Sequence, residues 1–163
     1  MKLNNNLQNS LNKQISMELE AAYKYLGIEQ YFRERSLLGF AKFFGDHAVE
    51  EREHAEDFRT FVEDVDGHVE FNSIEEQPTV YNSALDAFKA ALDHEKEISA
   101  SIRGILKIAI DENNYAAENF LRTYVDEQVE EEDLFRGVLD LVEFAGEDKA
   151  ALLDVENRIK DLG

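Results

Sequence analysis

Residues 43–58 read FFGDHAVEEREHAEDF. Within that stretch Phe44, His47, Glu51, His54 and Phe58 fall at alternating three- and four-residue steps, the spacing of one helix face. The face extends to Phe40 on one side and to Phe61 and Val65 on the other. It is aromatic at both ends and polar in the middle. The buried face of a bundle helix should be apolar throughout, so the polar middle needs a physical reason. Three other segments carry the same anomaly. One face reads Leu7, Leu11, Gln14, Glu18, Ala21, Tyr25, Ile28, Phe32. Another reads Ala84, Phe88, Ala91, Glu95, Ile98, Ile102, Ile105, Ala109, and the last Leu121, Tyr124, Gln128, Glu131, Phe135, Val138, Val142. A carboxylate buried without a partner is very unfavourable. Four helices each bringing one to a shared layer require a cation there, and a divalent or trivalent metal ion fits.

The segment limits follow from breakers and caps. The first helix is expected from about Asn5 to Arg35, with Ser36 as N-cap of a second helix reaching about Asp66 and Gly67 at its C′ position. Residues 67–82 hold Gly67, Asn72, Ser73, the only proline (Pro78) and Asn82, and carry no helical face. Ser83 with Asp86 marks the start of a third helix, which ends near Asn113 and Asn114. A fourth runs to about Ala145, where Gly146 stops it, and Asp148 caps a short fifth helix, 149–162, with Ala151, Leu152, Val155, Ile159 and Leu162 inward.

Loop length then sets the wiring. The first two helices, and the third and fourth, are joined by a few residues and must be antiparallel. A helix of about 29 residues is roughly 43 Å long. A loop of about 16 residues stretches to roughly 50 Å, enough to cross the bundle and leave the second and third helices parallel. The fold class is therefore all-α, one domain over 1–163, with a four-helix bundle over about 5–145, one long crossover and a short appended helix. Glu18, Glu51, Glu95 and Glu131 all lie near mid-helix, so they meet at one level whichever way each helix points.

Composition agrees. The 163 residues carry 36 acidic against 17 basic side chains, a net charge of −19. That excludes nucleic acid and anionic membranes as partners and suits attraction of cations, although a solvated acidic surface accounts for most of these residues. There is no cysteine, which excludes disulfides, zinc fingers and iron–sulfur clusters. No apolar run reaches the roughly 20 residues of a membrane span. The N-terminus lacks the apolar core of a secretory signal, so a cytoplasmic location is expected.

Glu51-Arg52-Glu53-His54 is an E-x-x-H whose two ends share a helix face and can hold one ion. Alone it is common. Together with Glu18, Glu95 and the pair Gln128 and Glu131, all at core positions, it specifies a metal site, and carboxylate-rich ligation with one His favours iron or manganese over zinc.

Over essentially its whole length the chain resembles the non-haem ferritins of the bacterial type. The segments that carry the likeness are LNKQISMELEAAYKY (11–25), FFGDHAVEEREHAEDF (43–58), DHEKEISASI (93–102) and TYVDEQVEEEDLF (123–135). The resemblance implies a ferritin-like bundle and a di-iron centre. Glu18, Glu51 and His54 match the first iron site, with Glu51 also the bridging carboxylate. Glu95 matches the principal ligand of the second iron, Glu131 lies beside it, and Gln128 matches a glutamine near the pair. Glu50, Glu127 and Glu130, with Glu131, match a third iron site, and Tyr25 matches a tyrosine next to the centre. Tyr25 is read equally as a packed core side chain or a one-electron donor. His47 reads as packed or supporting rather than ligating, and Glu127 and Glu130 also fit a plain charged run.

The likeness has limits. Bacterioferritins carry a second E-x-x-H on the fourth helix where this chain has Gln128-x-x-Glu131, and a haem-ligating Met where this chain has Arg52. Haem is therefore not expected. The implied function is iron storage with ferroxidase activity. Fe(II) is oxidised by O2 or H2O2, and the product is held as a mineral in a homo-oligomeric cage of 24 subunits. Glu118 is implied at an entry pore and Asp46, Glu50 and Glu53 on the mineral face. Two other classes compete: a di-iron oxidase or oxygenase of a small oligomer, and a silent shell subunit.

Overall fold

A computed structural model describes residues 2–162. The helices are α1 (Asn5–Glu34), α2 (Leu38–Asp64), α3 (Ala84–Asp111), α4 (Tyr115–Ala145) and α5 (Lys149–Ile159), with no strand among the described residues. α1 packs on α2, α3 on α4 and α1 on α3. Ring contacts fix directions. Phe43 meets Phe135 and Phe58 meets Phe120, so α2 and α4 are antiparallel. Since α4 also reverses α3, α2 and α3 run parallel, as the long crossover requires.

That crossover is bound to α1 by a matched ladder. His68 N–H donates to Gln8 Oε1 (2.8 Å), Glu70 N–H to Asn12 Oδ1 (3.0 Å) and Asn72 N–H to Ser16 Oγ (3.3 Å), while Asn12 Nδ2 returns a bond to His68 O (2.8 Å). Two residues of extended chain advance about 6.6 Å and four residues of helix about 6 Å. Every second loop amide therefore meets a polar side chain one turn further along α1. Further on, the loop crosses α1 at Gly27, where a Cβ would stand 2.4 Å from the Pro78 carbonyl oxygen. Only glycine admits that crossing.

The helix ends depart from the sequence expectation at three points. Ser36 does not cap α2. It sits at φ 57° as the left-handed residue that ends α1, with Leu37 N–H bonded to Phe32 O (3.0 Å) and Ser36 N–H to Arg33 O (3.1 Å). Asp66 (φ 57°) and Asn113 (φ 55°) end α2 and α3 in the same way. The left-handed residue at the end of α2 is thus Asp66, and Gly67 follows it because a Cβ there would lie 2.8 Å from Val62 Cγ1 and the Val62 carbonyl oxygen. The amide at the start of α2 is met from α5 instead, as Phe40 N–H donates to Glu156 Oε1 (3.3 Å). Ser83, Asn114 and Asp148 cap α3, α4 and α5. α5 ends at Ile159, and Leu162, expected inward, is exposed, while Leu152, Val155 and Ile159 are buried.

The apolar interior falls into two blocks. One surrounds Tyr25, Phe32, Phe40, Phe44, Phe88 and Phe135; the other surrounds Leu7, Leu11, Ile15, Phe58, Ile102 and Leu121. Between them lies the polar layer.

Candidate metal centre

Glu18, Glu51, His54, Glu95 and Gln128 are all buried, and Glu51 and Glu95 are 1% and 0% exposed. They come from α1, α2, α3 and α4, each near mid-helix. Ligand atoms of Glu18, Glu51 and His54 lie within 4.8 Å of one another. Glu18 Oε1 accepts from Gln14 Nε2 (2.9 Å), whose own Oε1 accepts from Ser101 Oγ (2.6 Å). Glu18 Oε2 is buried with no partner. An acceptor left unmatched in the interior is expensive, and a cation between Glu18, Glu51 and His54 would satisfy it.

His54 is held from both sides. Its Nε2 lies 3.0 Å from Glu127 Oε1 and its Nδ1 3.2 Å from Glu51 Oε2. Glu127 therefore fixes the ring so that Nδ1 faces the layer. Burial alone would lower the His54 pKa, but bonds to Glu127 and Glu51 push it up to about 11. The hydrogen bond to His54 in turn holds Glu127 below its usual range. A metal at Nδ1 displaces a proton, so binding releases it. Removing such a carboxylate partner typically lowers metal affinity 10–100-fold. Glu127→Ala is expected to weaken Fe(II) binding at the Glu18, Glu51 and His54 set by about 10-fold or more, measured by anaerobic titration. Unchanged affinity would leave Glu127 no supporting role at His54.

Glu95 anchors the other half. The Tyr25 hydroxyl donates to Glu95 Oε1, and Gln128 Nε2 to Glu95 Oε2 (3.1 Å), while Ser99 Oγ donates to the Glu95 carbonyl oxygen (3.0 Å). Burial pushes Glu95 up to about 7, with the Tyr25 and Gln128 bonds opposing. Burial first, then the neighbouring Glu51, raises Glu18 well above the carboxylate range, and burial also raises Glu51. Burial and the Glu95 charge raise the Tyr25 phenol, which stays protonated as the donor.

A second group forms beside the first. Ligand atoms of His47, Glu50 and Glu131 also lie within 4.8 Å of one another. His47 Nδ1 donates to Phe43 O (2.9 Å), leaving Nε2 3.5 Å from Glu131 Oε2, and both of those atoms are buried without a partner. Burial would lower His47, but Glu131 and the Phe43 carbonyl raise it to about 9. From sequence His47 reads as packed or supporting, and it does touch Phe43 and Phe135. Its free nitrogen aimed at Glu131 was not legible, because the two residues lie on different helices. Glu50 and Glu131 therefore meet, Glu127 sits on His54, and Glu130 is exposed. Glu118, Asp46 and Glu53 belong to neither group; Glu118 pairs with Arg122 and Asp46 with Lys42.

Residues 8–145 match the family model described as Ferritin, a ferritin-like domain. The bacterial non-heme ferritin of Campylobacter jejuni is 36% identical over 152 residues, 93% of this chain and 91% of that protein. The bacterial non-heme ferritin of Staphylococcus aureus is 34% identical over 161 residues, covering 99% and 95%. Among solved structures, an open pore ferritin from the hyperthermophilic archaeon Archaeoglobus fulgidus superposes with TM-score 0.95 at 33% identity, over 99% of this chain and 100% of that one.

Proposed function

The chain belongs to the ferritin-like family, and from that premise we propose that it oxidises Fe(II) to Fe(III) with O2 or H2O2 and stores the product as a ferric mineral inside a homo-oligomeric cage of 24 subunits. The observation that supports this most is the carboxylate layer between two apolar blocks, with Glu18 Oε2 unpartnered inside it. Fe(II) is the substrate. One ion takes Glu18, Glu51 and His54. A second takes Glu95 and Glu131, with Glu51 shared, and Gln128 holds Glu95 in place. Hard anionic oxygen donors favour Fe(III) over Fe(II), so the ligand set itself drives the oxidation forward. A third ion takes Glu50 and Glu131, drawing on Glu127 and Glu130, and His47 adds a nitrogen beside them.

Several large apolar side chains face solvent in the single subunit, among them Phe71, Tyr115, Val129 and Phe144, the last 95% exposed. Subunit contacts would cover such residues. No helix is long and apolar enough to cross a membrane among the described residues, and the proposed location is cytoplasmic.

The deciding experiment is aerobic Fe(II) loading of the metal-free protein, followed by size-exclusion chromatography with iron and protein measured in each peak. Iron far above what each subunit's ligands hold, co-eluting with a very large particle, is expected. A few ions per subunit on a small oligomer would overturn storage and establish the oxidase reading in its place.

A further inference from the structure

Two phenols flank the carboxylate layer, and only one of them touches a proposed second-ion ligand. Tyr25 bonds to Glu95. Tyr124, on α4 one turn before Gln128, stands edge-on to the His54 ring with centroids 5.4 Å apart and planes at 88°. It is 5% exposed and also packs on Phe58 (4.8 Å) and Phe120 (5.3 Å). Its hydroxyl donates to Asp57 Oδ2 at 2.8 Å. Asp57 lies three residues after His54 on α2 and is exposed. One side chain thus joins a proposed iron ligand to a solvent-facing carboxylate.

That is the arrangement a one-electron donor needs. Removing an electron from a phenol makes its proton strongly acidic. The step is easiest when a base already sits at hydrogen-bond distance of that proton. Asp57 stands at that distance and faces solvent, so it is placed to take the proton and hand it to water. The ring contact with His54 offers the electron a way out.

We propose that Tyr124 is a second one-electron donor for the reduction of O2 at the centre, with Asp57 accepting its proton. The inference rests on the ferroxidase reading and takes the donor reading of Tyr25. The electron count supports it. Reducing O2 fully to water takes four electrons, while two Fe(II) supply two. Tyr25 and Tyr124 each supply one more and become neutral radicals. The two phenolic protons and two from solvent complete the balance, the O–O bond breaks, and two waters form. Each radical then takes an electron from a later Fe(II) and a proton from water, restoring the phenol. Without the second donor the reaction stops short and releases more H2O2.

The assembled metal-free protein, with ring-deuterated tyrosine as a lineshape control, would be mixed with two Fe(II) per subunit and O2. Freeze-quench EPR and released H2O2 would then be recorded. Tyr25→Phe is expected to retain a tyrosyl signal that the double variant Tyr25→Phe/Tyr124→Phe loses. Tyr124→Phe alone should release more H2O2. Asp57→Asn keeps the phenol and a hydrogen-bond acceptor but removes the base. It should lose the Tyr124 signal in the Tyr25→Phe background, and it carries the test should Tyr124→Phe fail to assemble. Rapid Fe(II) oxidation with no radical in Tyr25→Phe would overturn the inference and leave the ferroxidase reading standing. Absence of Fe(II) oxidation in the unmodified protein would overturn both.

Discussion

Glu51→Ala is expected to slow the initial aerobic oxidation of Fe(II) by more than about 100-fold while the oligomer elutes unchanged. Glu51 is 1% exposed, lies 3.2 Å from His54 Nδ1, and is within ligand distance of Glu18. The proposed mechanism gives it to both iron ions, so its loss removes a ligand from each and the connection between them. Loss of a supporting partner alone costs about 10–100-fold, and a shared ligand should exceed that range. Assembly should survive because the side chain points into the bundle and reaches no outer face. Glu63→Ala removes an exposed carboxylate from the same helix, away from the layer, and should oxidise iron at the unmodified rate. Rapid oxidation persisting in Glu51→Ala would sink the shared-ligand assignment.

How much of this the sequence carried depends on whether a signal is local to one helix. Glu18, Glu51, His54, Glu95 and Gln128 stand at positions their own helices require to be apolar, so each marks itself. Their common level follows from each lying near mid-helix, and the parallel α2 and α3 follow from the crossover's length. The structure places all five in one layer. Where the outcome depended on another segment, the sequence was silent. Ser36 reads as an N-cap by residue type, yet the acceptor for α2 arrives from Glu156 on α5, which frees Ser36 to end α1 in a left-handed conformation. Gly67 reads as the helix stop, yet Asp66 takes the left-handed turn, and the glycine answers to Val62. Glu127 sits in an acidic run that hides its bond to His54. Tyr124 reads as an ordinary member of an apolar face, because its partner Asp57 lies on a different helix. Side-chain direction across a bundle is a tertiary property, and these are the places where it decides the chemistry.

The metal-free protein is expected to be more stable near pH 5.5 than near pH 8.5, with Fe(II) under anaerobic conditions reversing the order. The sign follows from linkage. Burial raises Glu95 from 4.5 to about 7, so its contribution to folding is complete below 4.5 and is lost as pH rises through 7. His47, raised from 6.5 to about 9, and His54, raised from 6.5 to about 11, contribute fully below 6.5 and lose it as pH rises through those higher values. All three act in the same direction. The net charge of −19 adds self-repulsion at the alkaline end. His94, lowered from 6.5 to about 4 by burial, opposes them between pH 5.5 and 6.5, where only the unfolded chain holds its proton, but over a narrower interval than either raised histidine. Across this interval Glu95 alone accounts for about 2 kcal/mol, at roughly 1.4 kcal/mol per pH unit. For a chain of this size that is a fall in Tm of about 5 °C or more. A cation takes the place of the protons the layer otherwise needs. Its stabilisation grows with the deprotonated fraction and with the ratio of free ion to Kd, so it is largest where the metal-free protein is weakest. Melting curves at the two pH values, with and without Fe(II), test both halves. A metal-free Tm equal or higher at pH 8.5 would show that the layer does not bind protons on folding. An Fe(II) shift no larger at pH 8.5 than at pH 5.5 would show that the ion does not compete for those sites.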